Sequence, residues 1–110
     1  MTQPGKVVVV DFQGVAHTKR RPVVVISSDL YHSCRPDVVV SLLTTKLSDA
    51  TDPTDYILQD WKIANLTKPT AFRCFILTMP RNAIHFEVGQ LSDRDWQEVK
   101  SRVSISLAVS

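Results

Sequence analysis

Residues 6–12 read Lys-Val-Val-Val-Val-Asp-Phe, and two further valine runs follow at residues 22–26 and 37–43. β-Branched residues lose rotamer freedom in helices and pack well on a pleated sheet, so each run predicts a strand buried largely on both faces. Only about ten residues separate successive runs, too few for the helical crossover that parallel strands need. The runs therefore predict a small antiparallel sheet that curls or closes into a barrel.

The second half of the chain adds strands and then changes period. Ser92, with Asp95 three positions on, is typical of a capping box, and Leu91 before it can pack against Trp96 as a hydrophobic staple. Apolar residues then recur at helical spacing, which predicts one amphipathic helix packed on the sheet. The expected strands are residues 54–59, 70–78 and 83–88, and the apolar helix positions are Trp96, Val99, Val103 and Leu107. The predicted class is mainly β with a C-terminal α-helix.

Length and composition limit the possible classes of protein. With 110 residues, 44% of them hydrophobic and 22% charged, the chain is expected to form one globular domain over residues 1–110. No apolar run approaches the length of about 20 residues that a membrane span needs. The N-terminus lacks the pattern of a secretory signal, and Cys34 and Cys74 lie far apart, outside any C-x-x-C pair. We therefore expect a cytoplasmic protein with structural cysteines.

Charge is distributed unevenly along the chain, although the formal net charge is only +2. Residues 1–46 carry six Lys and Arg against three Asp and Glu, and residues 62–86 carry four basic residues and no acidic one. The segment between them carries the aspartates Asp49, Asp52, Asp55 and Asp60. If the two positive segments meet, they form the local basic surface of a phosphate-binding site. The alternative is an ordinary mixed surface.

The sequence Lys19-Arg20-Arg21-Pro22 precedes the second valine run. Proline biases the residue before it toward extended backbone, so Arg21 is expected at the mouth of that strand. A guanidinium presents a planar fork of donors that matches phosphate oxygens, and a positive charge held in place stabilises a phosphoryl transition state. The alternative interpretation is a solvated, charged turn.

Hydroxyl and imidazole groups supply the remaining candidates. Thr44 and Thr45 end the third strand, where one of the two can donate to a phosphate oxygen, although Thr is common at strand ends for propensity alone. His17 is a candidate proton carrier or a surface loop histidine. His85 on a predicted strand is interpreted as structural. We expect no metal site, because His32 and Cys34 lack a second pair of ligands.

Taken together, these residues resemble the PemK/MazF family of toxins from bacterial toxin–antitoxin systems. The resemblance covers essentially the whole chain and is carried by residues 6–12, 19–26, 29, 37–45, 64–70, 76–78 and 88–92. It implies an SH3-like β-barrel of the PemK/MazF/CcdB type, a symmetric homodimer and a cognate antitoxin, typically with an acidic tail. It also implies a sequence-specific endoribonuclease that cleaves single-stranded mRNA without metal or other cofactor and thereby inhibits translation and growth.

The resemblance also assigns roles to residues. Transesterification would give 2′,3′-cyclic phosphate and 5′-hydroxyl ends, with Arg21 acting on the phosphate and stabilising or protonating the leaving oxygen, and Thr44 binding the phosphate. Some relatives carry Arg-x-Asp on the fifth strand, whereas Arg73 here is followed two residues later by Phe75. A carboxylate base is therefore not expected there, and the general base stays unassigned. The expected RNA contacts are His17, Lys19, Arg20, Thr45, Lys46 and Arg73.

Two other functions remain open from the sequence. The barrel could belong to a non-nucleolytic branch that acts by binding a protein, as CcdB-like toxins bind gyrase. It could also be an inactive relative that is retained to bind an antitoxin. A plain RNA-binding barrel would need exposed aromatic side chains for base stacking, and several of the eight aromatic residues are expected to be buried. Arg21 and Thr44 favour the nuclease over both.

Overall fold

Residues 2–13 and 18–108 are described by a computed structural model, and this part of the chain forms six strands and two α-helices. Two short 3₁₀ turns lie at Leu47–Asp49 and Arg81–Ala83. The main elements are β1 (Lys6–Gln13), β2 (Thr18–Val25), α1 (Asp29–Cys34), β3 (Asp37–Thr44), β4 (Tyr56–Ile57), β5 (Ala71–Pro80), β6 (Ile84–Gln90) and α2 (Asp93–Leu107).

The strands form one sheet in the order β4-β5-β3-β2-β1-β6, and every neighbouring pair is antiparallel. The prediction from the short spacing between the valine runs is therefore confirmed. The sheet curls strongly: the rings of Phe12 on β1 and Phe75 on β5 lie 6.2 Å apart, although β2 and β3 separate these strands in the sheet. Within the described residues β4 and β6 do not pair, so the curled sheet is not closed by hydrogen bonds.

Both faces of the sheet are buried, as the valine runs predicted. On one face α2 and the chain around residues 58–66 cover a core, and on the other the curl of the sheet brings its own strands together. The first core contains Val7, Val24, Leu43, Leu58, Ala64, Phe72, Leu91 and Val99. The second contains Val8, Val10, Val23, Val25, Val38 and Val40. Adjacent valines on one strand thus belong to different cores.

Strand β4 is much shorter than the predicted strand at residues 54–59. The N–H groups of Gln59 and Asp60 donate to the carboxylate of Asp95 on α2, at 3.0 and 2.8 Å, instead of to a neighbouring strand. At the other end, the Asp55 N–H donates to the carbonyl of Asp52 and forms a turn. One set of hydrogen bonds to α2 and one local turn therefore leave only Tyr56–Ile57 to pair with β5.

Helix α1 is absent from the sequence-based expectations. Ser28 caps it by accepting the Tyr31 N–H at 3.1 Å, and the Arg81 guanidinium donates to the carbonyls of His32 and Arg35 at its C-terminal end. The helix buries none of its six residues. It has no apolar periodicity to detect, and part of its support comes from an arginine 47 residues beyond its last residue.

Helix α2 begins as predicted. The Ser92 hydroxyl accepts the Asp95 N–H at 3.1 Å, while Trp96 packs against the core that holds Leu91 and Val99. The carboxylate of Asp95, however, does not reach back to Ser92 as in a capping box; it is completely buried and binds the loop after β4. Leu107 is 50% exposed, contrary to its predicted place on the buried face, because the last turn extends past the core.

Gly89 on β6 marks a close approach between the strand and the loop before β5. A Cβ atom at this position would lie 2.3 Å from the Ala64 carbonyl oxygen. The same loop is held by the Asn65 side-chain amide, which donates to the Val88 carbonyl at 3.1 Å. Any side chain at position 89 would therefore force the strand and the loop apart.

We expect Gly89→Ala to lower the free energy of unfolding by about 1–3 kcal/mol, because backbone must move to relieve the overlap. Urea unfolding of the two proteins measures the difference. Glu87→Ala on the same strand is the control, because its exposed side chain makes only a 3.9 Å ion pair with Lys6. Equal stability of Gly89→Ala and the wild type would contradict the packing described for this loop.

Within the part of the chain that the structure describes, no helix is long and apolar enough to cross a membrane.

Candidate active site

The register between β2 and β3 brings the two principal candidates together. Val23 pairs with Leu42, Val24 with Ser41 and Val25 with Val40. When the same register is extended by two residues beyond the Val23–Leu42 pair, Arg21 lies opposite Thr44. Residues opposite one another on antiparallel strands project from the same face. Arg21 and Thr44 thus belong to one face of the sheet, although 22 positions separate them in the chain.

A cavity of about 380 Å³ lies at this end of the sheet. Five of the eight residues predicted to act on RNA line it, contributed by β2, by β3 and by the segment directly after β3. Its lining residues are Arg20, Arg21, Pro22, Leu43, Thr44, Thr45, Lys46 and Asp49. Three cations and two hydroxyl groups therefore line a space large enough for part of a nucleotide.

The cations of the cavity are largely uncompensated. Among the described residues, no carboxylate oxygen lies within 4 Å of the Arg21 or Lys46 side-chain nitrogens. Arg20 is the exception, since its Nε lies 3.7 Å from Asp11 Oδ1. Guanidinium and ammonium groups without protein partners are available to bind the oxygens of an incoming phosphate.

The Thr44 hydroxyl is oriented by the turn that follows the strand. Its Oγ1 accepts the Lys46 N–H at 3.1 Å, in the manner of a short Thr turn. Because the oxygen accepts in this bond, the hydroxyl hydrogen stays available to donate to a phosphate oxygen. Of the two threonines, Thr44 is half-buried and Thr45 is exposed.

The whole chain also matches a known family. A family model described as PemK-like, MazF-like toxin of type II toxin-antitoxin system matches residues 3–107. The chain belongs to this family. The PemK-like, MazF-like fold accounts for the curled six-stranded sheet and its C-terminal helix.

Individual relatives agree with the family assignment. The chain is 27% identical over 112 residues to Endoribonuclease MazF of Staphylococcus saprophyticus, covering 99% of this chain and 93% of that protein. It resembles the solved structure of an endoribonuclease in complex with its cognate antitoxin from Mycobacterial species, with TM-score 0.79, 17% identity and coverage of 98% and 96%. It also resembles MazE-MazF (Form-III) from Deinococcus radiodurans, with TM-score 0.76, 15% identity and coverage of 98% and 97%. The two solved structures support the fold.

Two of the predicted RNA contacts of this PemK/MazF family member lie outside the cavity. Lys19 is exposed on β2 opposite Phe12. Arg73 lies on β5 with its Nε 4.0 Å from the buried carboxylate of Asp55, so its charge is compensated locally. His17 lies outside the described residues. All basic residues of the cavity come from the first positive segment, and residues 62–86 contribute none.

Phe75 occupies the position where some members of the family carry a carboxylate. Its side chain is 50% exposed and packs against Phe12. Several aromatic residues were expected to be buried; Phe72 is, whereas Phe75 and Phe86 are 50% and 54% exposed. An aromatic ring cannot accept the proton that a carboxylate would take.

The other histidines of the described chain have structural partners. His85 Nε2 lies 2.6 Å from Asp11 Oδ2 and links edge strand β6 to β1, which agrees with the structural interpretation. His32 Nε2 lies 2.5 Å from the Ser27 hydroxyl, and burial together with the nearby Arg81 lowers the pKa of its imidazole. In residues 2–13 and 18–108, no three His, Cys, Asp or Glu side chains are grouped to hold a metal ion.

Asp49 is the lining residue that the sequence analysis noticed only as part of an acidic segment. It is the one carboxylate among the described residues that line the cavity. No local pattern indicates this position, because the cavity forms only where β2 and the segment after β3 come together.

Proposed function

We propose that this chain is the toxin of a type II toxin–antitoxin system and acts as a metal-independent endoribonuclease on single-stranded RNA. The observation that carries the proposal is the convergence of Arg21 and Thr44, from neighbouring strands, on one cavity with uncompensated positive charge. Membership of the PemK/MazF toxin family and the relative named Endoribonuclease MazF support the same activity. The retained Arg21 and Thr44 disfavour a non-nucleolytic CcdB-like or inactive barrel.

The proposed reaction is an internal transesterification. The 2′-oxygen of the substrate forms a bond to the adjacent phosphorus, the bond to the 5′-oxygen breaks, and a cyclic phosphate and a 5′-hydroxyl end result. Negative charge builds up on the phosphate oxygens in the transition state. Arg21 and the Thr44 hydroxyl are positioned to donate to those oxygens, while Arg20, Thr45 and Lys46 bind the neighbouring RNA backbone. The protein thus supplies positioning and charge, and the nucleophile belongs to the RNA.

The biological setting follows from the same proposal. The chain acts as a single domain and as a homodimer in the cytoplasm, where its substrate is mRNA cleaved at a specific sequence, so that translation and growth stop. A cognate antitoxin with an acidic segment covers the positive cavity until it is removed. The cavity residues Arg20, Arg21 and Lys46 make such a contact electrostatically favourable. Lys19 and Arg73 remain candidate RNA contacts outside the cavity, and His17 remains a further candidate.

Incubation of the purified protein with a panel of single-stranded RNAs in EDTA tests the activity. We expect cleavage at a defined sequence, with cyclic phosphate and 5′-hydroxyl ends. A matched RNA with a single 2′-deoxy nucleotide at the cleavage site should resist, because it lacks the attacking oxygen. Absence of cleavage across a broad panel would overturn the nuclease and favour the protein-binding alternative.

We expect Thr44→Val to lower the cleavage rate by about 10- to 100-fold, because one hydrogen bond to the charged transition state is lost without a change in side-chain shape. Thr44→Ser, which keeps the hydroxyl, should retain most of the activity. Thr67→Val, at an exposed threonine outside the cavity lining, is the control and should cleave like the wild type. Wild-type activity in Thr44→Val, measured under single-turnover conditions, would remove Thr44 from the catalytic site.

A further inference from the structure

Asp49 is placed in the cavity by the 3₁₀ turn that follows β3. The Asp49 N–H donates to the Lys46 carbonyl at 3.0 Å, and the Ala50 N–H donates to the Leu47 carbonyl at 3.0 Å. The turn comprises Leu47–Asp49, with Lys46 at its N-cap. Lys46 and Asp49 both line the same cavity as Arg21 and Thr44.

The carboxylate of Asp49 is exposed and has no ionic partner in the described chain. No lysine, arginine or histidine nitrogen there lies within 4 Å of it. Two other carboxylates, those of Asp11 and Asp55, have partners of their own. Asp11 contacts His85 and Arg20, whereas Asp55 accepts the backbone N–H groups of residues 52 and 74. Among these three carboxylates, Asp49 is the one both uncommitted and in the cavity.

We propose that Asp49 is the general base that takes the proton from the attacking 2′-hydroxyl. This inference rests on the proposed function and supplies the group which that function lacks, since Phe75 stands where a carboxylate is found in some relatives. A carboxylate within hydrogen-bond reach of a hydroxyl can act as a general base when the acceptor is ionised. Arg20, Arg21 and Lys46 bind the phosphate in the same cavity that Asp49 lines, so that the phosphate and the base lie in one small space.

One Asp49 carboxylate oxygen accepts the 2′-hydroxyl proton while the 2′-oxygen bonds to phosphorus. The phosphorus–5′-oxygen bond breaks, and the departing 5′-oxygen takes a proton from water. Asp49 then returns its proton to solvent, so no oxidant, metal or other reactant is consumed. Arg21 and Thr44 bind the phosphate oxygens throughout and exchange no proton.

Single-turnover cleavage by Asp49→Asn tests the assignment against Asp52→Asn, an exposed aspartate outside the cavity lining. We expect Asp49→Asn to slow cleavage by about 100-fold or more and Asp52→Asn to leave it unchanged. Affinity for the 2′-deoxy RNA should not fall in either variant.

Restored activity provides a second readout. Asp49→Glu should recover part of the rate, and formate added to Asp49→Ala should accelerate cleavage by supplying a carboxylate in the vacated space. Wild-type cleavage by Asp49→Asn would overturn the assignment, as would a loss that arises entirely from weaker RNA binding. If the wild type itself cleaves no RNA, the proposed function falls and this inference falls with it. If the wild type cleaves and Asp49→Asn cleaves equally, only the base assignment fails.

Discussion

Arg21→Ala is expected to slow RNA cleavage by about 1,000-fold, which is the largest effect on activity predicted for this protein. The variant loses a charged donor aimed at oxygens that become more negative in the transition state, and such donors contribute factors of about 10² to 10³ each. The fold should persist, because Arg21 is exposed and pairs with Val10 through the backbone of β2. Single-turnover cleavage and a thermal unfolding curve measure the two properties separately.

Two variants sharpen the Arg21 result. Arg21→Lys keeps the positive charge but loses the planar fork of donors, so we expect an intermediate rate. Lys100→Ala removes an exposed cation from α2, outside the cavity, and should cleave like the wild type. Full activity in Arg21→Ala would show that the cavity at Arg21 and Thr44 is not the catalytic site.

Asp95→Asn is expected to lower the free energy of unfolding by about 3 kcal/mol, the largest predicted effect on stability. The carboxylate is completely buried and accepts three hydrogen bonds, from the Tyr56 hydroxyl at 2.6 Å, the Gln59 N–H at 3.0 Å and the Asp60 N–H at 2.8 Å. In the variant, the side-chain amide has only one acceptor oxygen, and its NH₂ group faces an N–H or O–H group that donates to the carboxylate in the wild type. At least one buried donor would then lose its partner, and charge-assisted bonds to the others would weaken.

Tyr56 shows how closely this cluster is coupled. Burial, and next the hydrogen bond to Asp95, raise the pKa of the Tyr56 phenol well above its usual value, so the hydroxyl keeps the proton that it donates. Asp93→Asn in the same first turn of α2 is the matched control, because Asp93 is exposed. Urea unfolding that placed Asp95→Asn and Asp93→Asn at the same stability would contradict the role given to the buried carboxylate.

Much of the sheet was predictable because its signal is local. Each valine run carries its own preference for extended backbone and for burial on both faces, and the short spacing excluded parallel crossovers without any tertiary information. The start of α2 was equally predictable from Ser92. By contrast, α1 and the shortening of β4 were missed, because they depend on Arg81 and Asp95, which reach them from distant parts of the chain.

The candidate site was predictable to the same extent. Arg21 and Thr44 could be named because Arg-Pro and a strand-end Thr are local patterns, and the resemblance to the PemK/MazF family joined them. Their opposition across β2 and β3 depends on the register, which residues 23–25 and 40–42 establish. Arg73 had an equally suitable side chain, yet on β5 it lies outside the cavity, with its Nε 4.0 Å from Asp55.

Residues close together in the chain thus determined the strand content, the C-terminal helix and the chemical types of the phosphate ligands. Propensity and periodicity act over only a few positions. Only the folded sheet decided which charges converge on the cavity, that Phe75 turns an aromatic ring toward Phe12, and that Asp49 joins Arg21 and Thr44. These outcomes depend on contacts between residues far apart in sequence. No local pattern encodes them, because a side chain's partner is selected by register and packing rather than by its neighbours in the chain.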